Sequence, residues 1–321
     1  MDYNELWDTL TGFRKARILH TALIWRFFNY VGEGATTEEI AHQAKTNQRG
    51  TERVLNALVG MGILKKFGEK YTHTELSETH LVENGNSSFA GVLHSVQSWE
   101  SWGQLPQIVK SGELPERKRV FDDSERFRTF ILAMHEYQKH RASEFVQKLP
   151  VQSGDAILDC GGGPGTYANA FAREYPDSNV TLLDLPDAIA IAKDLNSENL
   201  PVQYISGDFF KEDLGGPYDF VFLSNIIHSH SPARNRTLFR RIADVMESGG
   251  HFVIRDRFLD ESQTEPLGAV IFGIHMLVNN LEGGTYIVRE VQEWLQSTGF
   301  TNVEYRTIDD ESEIVIAERA D

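Results

Sequence analysis

The second half of the chain alternates short apolar runs with amphipathic stretches. Ala156-Ile-Leu-Asp159, Val180-Thr-Leu-Leu-Asp184 and Val202-Gln-Tyr-Ile-Ser-Gly-Asp-Phe-Phe210 read as strands, and Pro217-Tyr-Asp-Phe-Val-Phe-Leu is almost continuously apolar, as a strand buried on both faces requires. His251-Phe-Val-Ile-Arg-Asp256 makes a fifth strand, and Asn302 to Arg306 and Glu313 to Ala317 make two more. Helical patterns lie between them: one starts near Tyr167, one is capped by Ser231 and runs to Glu247 before Gly249-Gly250, and one spans Tyr286 to Thr298. Seven strands alternating with helices predict an α/β, doubly wound sheet that binds ligands at the carboxyl ends of its strands.

The first half is helical. Ala16, Leu19, Leu23 and Phe27 recur at helical spacing over residues 14 to 31, with Ile18, Ala22 and Trp25 widening the stripe. Thr36-Thr-Glu-Glu39 reads as a capping box, and Asn47 opens a helix that Gly62 ends. Ile63-Leu-Lys-Lys-Phe and Gly68-Glu-Lys-Tyr-Thr-His then predict a β-hairpin, so the pattern is that of a winged helix. A long helix is expected from Ser124 to Lys148, carrying Phe127, Phe130, Ile131, Met134 and Tyr137. The expected division is a winged-helix domain over 1–112, a helical linker over 113–150 and a catalytic domain over 151–321.

The first strand feeds Asp159-Cys-Gly161-Gly162-Gly163-Pro164-Gly165-Thr166. Glycines at a strand-to-helix turn supply positive backbone angles and let a ligand approach the main chain. The spacing is G-x-G-x-G, whereas a dinucleotide fingerprint needs G-x-G-x-x-G. Asp159 at the strand end would repel phosphate and suit a cationic amino-acid ligand. Asp184 ends the second strand 25 residues later, where a carboxylate accepts ribose hydroxyls. Asp208, Phe209 and Phe210 end the third strand and suit an adenine amino group and ring face.

With Leu223-Ser-Asn-Ile-Ile-His228 and Gly249-Gly-His-Phe-Val-Ile-Arg-Asp256 added, the chain resembles the S-adenosylmethionine-dependent small-molecule O-methyltransferases that carry an N-terminal winged-helix dimerisation domain. The group includes plant caffeate and hydroxyindole enzymes and bacterial polyketide-tailoring enzymes, and the resemblance covers nearly the whole chain. It implies a Rossmann-like methyltransferase sheet, S-adenosyl-L-methionine as cofactor, pairing into a homodimer through the N-terminal domain, and a small-molecule acceptor. Cofactor contacts are expected from Asp159, Gly161, Gly163, Gly165 and Asp184, and also from Leu185, Asp208, Phe209, Phe210 and Ser224. Phe130, Met134, Met276 and Asn280 match positions that contact the acceptor, and Phe272 is expected to bind it as well.

Composition narrows the partners. The 321 residues carry a net charge of -16, which argues against nucleic acid and anionic membranes, since both need a basic footprint. Arg49, Arg53, Lys65, Lys66 and Lys70 give the winged helix some basic character, but Glu38, Glu39, Glu52 and Glu69 dilute it. One cysteine, Cys160, excludes an internal disulfide and a cysteine-cluster metal site. The start, Met1-Asp-Tyr-Asn-Glu-Leu-Trp, does not read as a signal peptide, and no apolar run approaches a membrane span of roughly 18 residues. A soluble, cytoplasmic protein is expected.

An alcohol or phenol is a poor nucleophile until its proton is removed, so methylation needs a base within hydrogen-bond reach. His228, just after strand four, matches the family's catalytic histidine. Asp256, ending strand five, matches the acid that orients it; such a carboxylate fixes the tautomer and stabilises the imidazolium. The chain departs from the plant enzymes at two points. Ser229-His230 replaces Asp-Trp, which leaves His230 as a rival base, and Tyr286 stands where a second catalytic acid is usual. No metal is expected. Thiol, amine and thioether acceptors remain open, as do a non-catalytic S-adenosylmethionine-binding regulator and, less compatibly with the glycine spacing, a nicotinamide-dependent oxidoreductase.

Overall fold

The structure is a computed structural model that describes residues 1–83, 88–115, 123–280, 282–309 and 312–321. The chain divides into two compact units, Met1–Trp99 and Glu100–Asp321. The division falls near Trp99, before the boundary at 112 that the sequence predicts, and the helices of 123–150 belong to the second unit. Among the described residues no helix is long and apolar enough to cross a membrane.

In the first unit the expected helix over 14–31 is broken into Phe13–Ile24 and Phe27–Val31, with Arg26 in the left-handed region at φ 54°. In one unbroken helix Phe28 would sit about 240° around the axis from Ala22. Redirecting the chain buries Ala22, Leu23, Phe27 and Phe28 together against Ile40, Leu55 and Leu58. The capping box is present: the Thr36 hydroxyl accepts from the Glu39 amide at 3.3 Å, and the Thr36 amide donates to Glu39 Oε2 at 2.7 Å. After helix Gln48–Gly60, Leu64–Phe67 pairs antiparallel with Lys70–His73, and Ala35–Thr36 adds a third short strand.

The second unit is built on seven strands: β1 Ala156–Cys160, β2 Asn179–Asp184, β3 Val202–Ser206, β4 Tyr218–Ser224, β5 Met246–Asp256, β6 Phe300–Asp309 and β7 Ser312–Arg319. Their spatial order is β6-β7-β5-β4-β1-β2-β3, with the first five strands parallel and β7 running against both neighbours. Its helices are α1 Ser124–Gln138, α2 Ala142–Val146, α3 Thr166–Glu174, α4 Pro186–Leu195, α5 Pro232–Ala243, α6 Leu267–Leu277 and α7 Val288–Gln296.

Four expected boundaries move. β3 ends at Ser206, short of Phe210. The helix over 124–148 breaks between Gln138 and Ala142, so that Ala142, Phe145 and Val146 are buried in the core beside α3. The helix expected to reach Glu247 ends at Ala243, because Met246 already pairs with Tyr218; the Gly249-Gly250 pair instead accommodates an irregularity within β5, with Gly249 at φ 78°. Tyr286–Ile287 forms a short parallel pair with Phe258–Leu259 before α7 begins.

Alternation along β4 supplies both core layers. Val221 and Leu223 pack among Phe239, Phe252, Trp294 and Phe300, whereas Phe220 and Phe222 face Phe145, Tyr167 and Phe171. Phe222 has ring centroids of Tyr167, Phe171 and Phe145 at 5.0, 5.7 and 5.9 Å. Phe222→Ala is expected to lower stability by about 3–5 kcal/mol, read by denaturant unfolding, because the cavity is walled by aromatic rings that cannot collapse into it. A loss below ~1 kcal/mol would show that these rings repack.

Candidate active site

The order places β1 beside β4, where the chain reverses direction across the sheet, and a crevice opens at such a switch point. Four functional segments follow the carboxyl ends of the parallel strands. The glycine loop follows β1, Asp184 closes β2, Asp208-Phe209-Phe210 follows β3, and His228 follows β4. Asp256 closes β5.

The loop needs glycine for two reasons. Gly161, Gly163 and Gly165 adopt φ of 73°, 53° and 71°, which side chains disfavour. Space is the second: a Cβ on Gly161 would lie 2.7 Å from Ile226 Cδ1, and one on Gly162 2.3 Å from Asp159 Oδ2. Phe209 lies against the same loop, with its ring Cε1 3.4 Å from the Cβ that Gly161 lacks.

Asp159 is fully buried beneath the loop. Its Oδ2 accepts from the Ala168 amide at 3.0 Å, and Oδ1 has no hydrogen-bond partner. Burial, reinforced by the neighbouring Asp184 charge and offset in part by the Ala168 amide, pushes its carboxyl up to about 7. Asp184 accepts from the amides of Gly163 at 2.7 Å and Leu185 at 2.6 Å, using about half of a carboxylate's acceptor positions. Leu185 is 37% exposed. Asp208 Oδ1 accepts from the Phe210 amide at 2.9 Å and Oδ2 meets Lys211 Nζ at 3.2 Å; Ser224 Oγ accepts from Asn225 at 3.2 Å.

Past β4, Asn225 takes φ 57° and its amide donates to the Arg255 carbonyl at 2.8 Å, which turns the chain into a 3-10 turn over Ile227–Ser229. His228 is buried there, with Nδ1 2.8 Å from Asp256 Oδ1. Asp256 also accepts from the Arg257 amide at 2.8 Å. With the carboxylate holding the proton on Nδ1, the lone pair lies on Nε2. The ring meets Phe272 edge-on at 4.8 Å, and the Arg257 guanidinium covers Phe272 at 4.4 Å.

An O-methyltransferase domain model matches residues 117–301, and an O-methyltransferase dimerisation domain model matches residues 7–83. The chain belongs to the O-methyltransferase family. Among its relatives is the 3-hydroxy-5-methyl-1-naphthoate 3-O-methyltransferase of Streptomyces sahachiroi, 25% identical over 93% of this chain and 89% of that protein. Human acetylserotonin O-methyltransferase is 25% identical over 95% of this chain and 94% of its own length. The crystal structure of human N-acetylserotonin methyltransferase in complex with SAM shares the fold, with a TM-score of 0.85 at 23% identity over 99% of this chain and 98% of that one.

In this O-methyltransferase the two histidines after β4 differ in environment. His230 lies edge-on to Phe210 at 5.1 Å and Phe209 at 5.7 Å. Burial, with the Arg234 and His228 charges adding, pushes it down to about 4, and no hydrogen bond holds its ring among the described residues. Of the residues expected at the acceptor, Phe272 reaches His228, and Met276 is buried on the same helix. Phe130 packs partly buried with Phe127, Ile131, Ala188 and Ile191, and Met134 is half-buried one turn on; this helix borders the glycine loop, since Ile131 Cδ1 would lie 3.9 Å from a Gly163 Cβ. Asn280 Nδ2 donates to the Ser229 carbonyl at 2.6 Å and Oδ1 accepts from the Glu282 amide at 2.9 Å, so its amide ties the chain to the turn after β4.

Sequence reasoning missed Asn235 and the use of Tyr286. Asn235 is completely buried and donates to the carbonyls of Ile227 at 2.9 Å and His230 at 3.3 Å. Its spacing to Leu238, Phe239 and Ile242 puts an amide on the apolar stripe of α5, which is a readable signal. Tyr286 donates its hydroxyl to the His230 carbonyl at 2.5 Å.

The Asp159 shift has a consequence for stability. The unfolded carboxyl ionises near 4, so between about pH 4 and 7 the folded chain keeps a proton that the unfolded chain has lost. Stability on this account falls as pH rises through the window. Asp159→Asn removes the penalty and is expected to raise the thermal midpoint relative to wild type by at least about 5 °C more at pH 8 than at pH 5. Equal differences at both pH values would count against a buried proton there.

Proposed function

We propose that this O-methyltransferase moves a methyl group from S-adenosylmethionine to a hydroxyl of a small aromatic or polyketide-like molecule, with His228 as general base and Asp256 as its orienting partner. One observation carries the reading: a buried imidazole, held through Nδ1 by a carboxylate at 2.8 Å, stands at the same sheet edge as the glycine loop.

The site fits the cofactor on its own chemistry. The unpartnered Asp159 Oδ1 suits an ammonium donor, the unused acceptor positions of Asp184 suit ribose hydroxyls, and Asp208 with Phe209 and Phe210 suits an adenine edge and face. At Gly163, among the described residues, only Ile131 Cδ1 comes within 4 Å of the missing Cβ, at 3.9 Å, which leaves the backbone there open to close approach, and Gly161, Gly165, Leu185 and Ser224 are proposed to complete the contact. Bound there, S-adenosylmethionine supplies an electrophilic methyl on a sulfonium. The chain's part is to position the acceptor hydroxyl and remove its proton onto His228 Nε2, while Asp256 stabilises the imidazolium that forms. His230 is the weaker candidate base: held near 4 and without a carboxylate partner, it has little affinity for a proton at neutral pH.

Phe272 and Met276 form an apolar wall beside the base, and Phe130 and Met134 are proposed to complete it. Rings and a polarisable thioether suit a flat acceptor. The hydroxynaphthoate and acetylserotonin relatives support a hydroxyl-bearing aromatic. The reading is metal-independent and places the enzyme in the cytoplasm. It keeps 151–321 as the cofactor-binding part and 113–150 as the segment that contributes to the acceptor pocket.

We further propose a homodimer. The matched dimerisation domain supports it, as do Trp7, Leu10, Phe13 and Trp25, which are 53%, 58%, 56% and 49% exposed on the first helices. Trp7→Glu with Leu10→Glu is expected to convert a species of twice 36.4 kDa into a monomer in analytical ultracentrifugation; an unchanged mass would place the interface elsewhere.

Catalysis is tested by mass spectrometry of methyl transfer from labelled S-adenosylmethionine into phenols, hydroxynaphthoates, hydroxyquinones and thiols. His228→Ala is expected to lower turnover by about 10²–10⁴-fold with cofactor binding intact, and Asp256→Asn by less. Full turnover in His228→Ala would remove it as the base.

A further inference from the structure

Every main-chain carbonyl from Ile227 to His230 receives a hydrogen bond from outside the turn. Asn235 Nδ2 reaches Ile227 O at 2.9 Å, the Gly284 amide reaches His228 O at 2.9 Å, Asn280 Nδ2 reaches Ser229 O at 2.6 Å, and the Tyr286 hydroxyl reaches His230 O at 2.5 Å. The turn's own hydrogen bonds are few and longer, with Ser229 N to Ile226 O at 3.0 Å and His230 N to Ile227 O at 3.2 Å. An isolated 3-10 turn is a weak platform.

We propose that Asn280, Gly284 and Tyr286 form a brace that positions His228, with Tyr286 a positioning residue. This rests on His228 being the base. Asp256 fixes the rotation of the imidazole through Nδ1, and its Oδ2 accepts from the His228 amide at 3.4 Å, a long hydrogen bond that leaves the carbonyl side of the turn to other groups. A proton acceptor displaced by an ångström loses its geometry, so the backbone needs its own restraint. The approach is close enough to dictate sequence: a Cβ on Gly283 would lie 2.0 Å from His228 O.

Tyr286 suits the role chemically. Burial, with Glu290 and Asp256 nearby, pushes its hydroxyl up to about 12, so it remains a donor throughout the working pH range. A carboxylate in its place would set negative charge against a carbonyl oxygen. Its ring is held edge-on to Trp294 at 4.8 Å, so the hydroxyl can be deleted with the ring kept. Asn280 lies just beyond α6, which carries Phe272 and Met276. One helix thereby connects the apolar wall to the turn that holds the base.

The test uses the full-length enzyme, and its first measurement needs no acceptor. Proton NMR of the downfield imidazole Nδ1–H, assigned by its loss in His228→Gln, follows exchange with solvent in wild type, Tyr286→Phe and Asn280→Ala. Each variant is expected to exchange about tenfold faster, matching the loss of one hydrogen bond, with S-adenosylhomocysteine affinity within about twofold of wild type. A tyrosine that only stabilises the fold would lower the thermal midpoint and leave the exchange unchanged, and that result in both variants overturns the brace. Tyr286→Glu distinguishes the roles further: methyl transfer into the phenol panel at or above the Tyr286→Phe level would mark position 286 as an acid site and overturn it too. Activity of His228→Ala reports separately, since full turnover there removes the base and the brace together, whereas an inactive His228→Ala with unchanged exchange removes the brace alone.

Discussion

The parallel pairing of β1, β4 and β5 is the constraint on which the site depends. Asp159 pairs with Phe222 in register, and Ser224 pairs with Arg255, so the ends of three strands fall at one height. A parallel ladder delivers every carboxyl end to the same edge, and the glycine loop, His228 and Asp256 become neighbours although they span about a hundred residues of sequence. The 2.8 Å contact between His228 and Asp256 is a consequence of register. A one-residue slip of β5 would turn Asp256 to the opposite face, where Arg255 now lies above Phe145 and Tyr167.

That edge concentrates groups that destabilise a fold. Asp159 is fully buried, half-buried Asp184 lies within reach of its charge, and Asp159 keeps an oxygen without a partner. Burying a carboxyl without full hydrogen bonding is unfavourable, and nothing in the packing of the sheet requires an acid at the end of β1. The aromatic layers on either side of β4 are large enough to tolerate the penalty. The proposed ammonium contact would supply the partner that the chain itself does not give this oxygen.

Much of this was legible in the sequence because it depends on local chemistry. Apolar runs gave all seven strands, the Thr36 box gave a helix start, and the glycine spacing gave the loop. Helix continuity was less legible. The breaks at Arg26 and between Gln138 and Ala142 carry no glycine or proline, and they exist because Phe27, Phe28, Phe145 and Val146 have cores to reach. Tertiary burial overrode an unbroken local period. Gly249-Gly250 misled in the opposite sense, since a glycine pair after a helical pattern resembles a helix stop but here serves the irregular start of β5. Side chains that hold backbone are hardest to read: nothing local in the sequence links Asn280 to its partner, a carbonyl 51 residues away.

The same point bears on Tyr286. As a sequence position it reads as a lost catalytic acid, a subtraction from the family pattern. In three dimensions it is a donor directed at the turn that carries the proposed base, and donation is what a carboxylate cannot provide. If His228 is the base, its place matters, because among the described residues Asp256 is the carboxylate hydrogen-bonded to its ring. Exchanging an acid for a hydroxyl therefore changes the kind of support the base receives, from charge on its ring to restraint of its backbone. On this view His228 depends on Asp256 for the state of its proton and on Asn280, Gly284 and Tyr286 for its place.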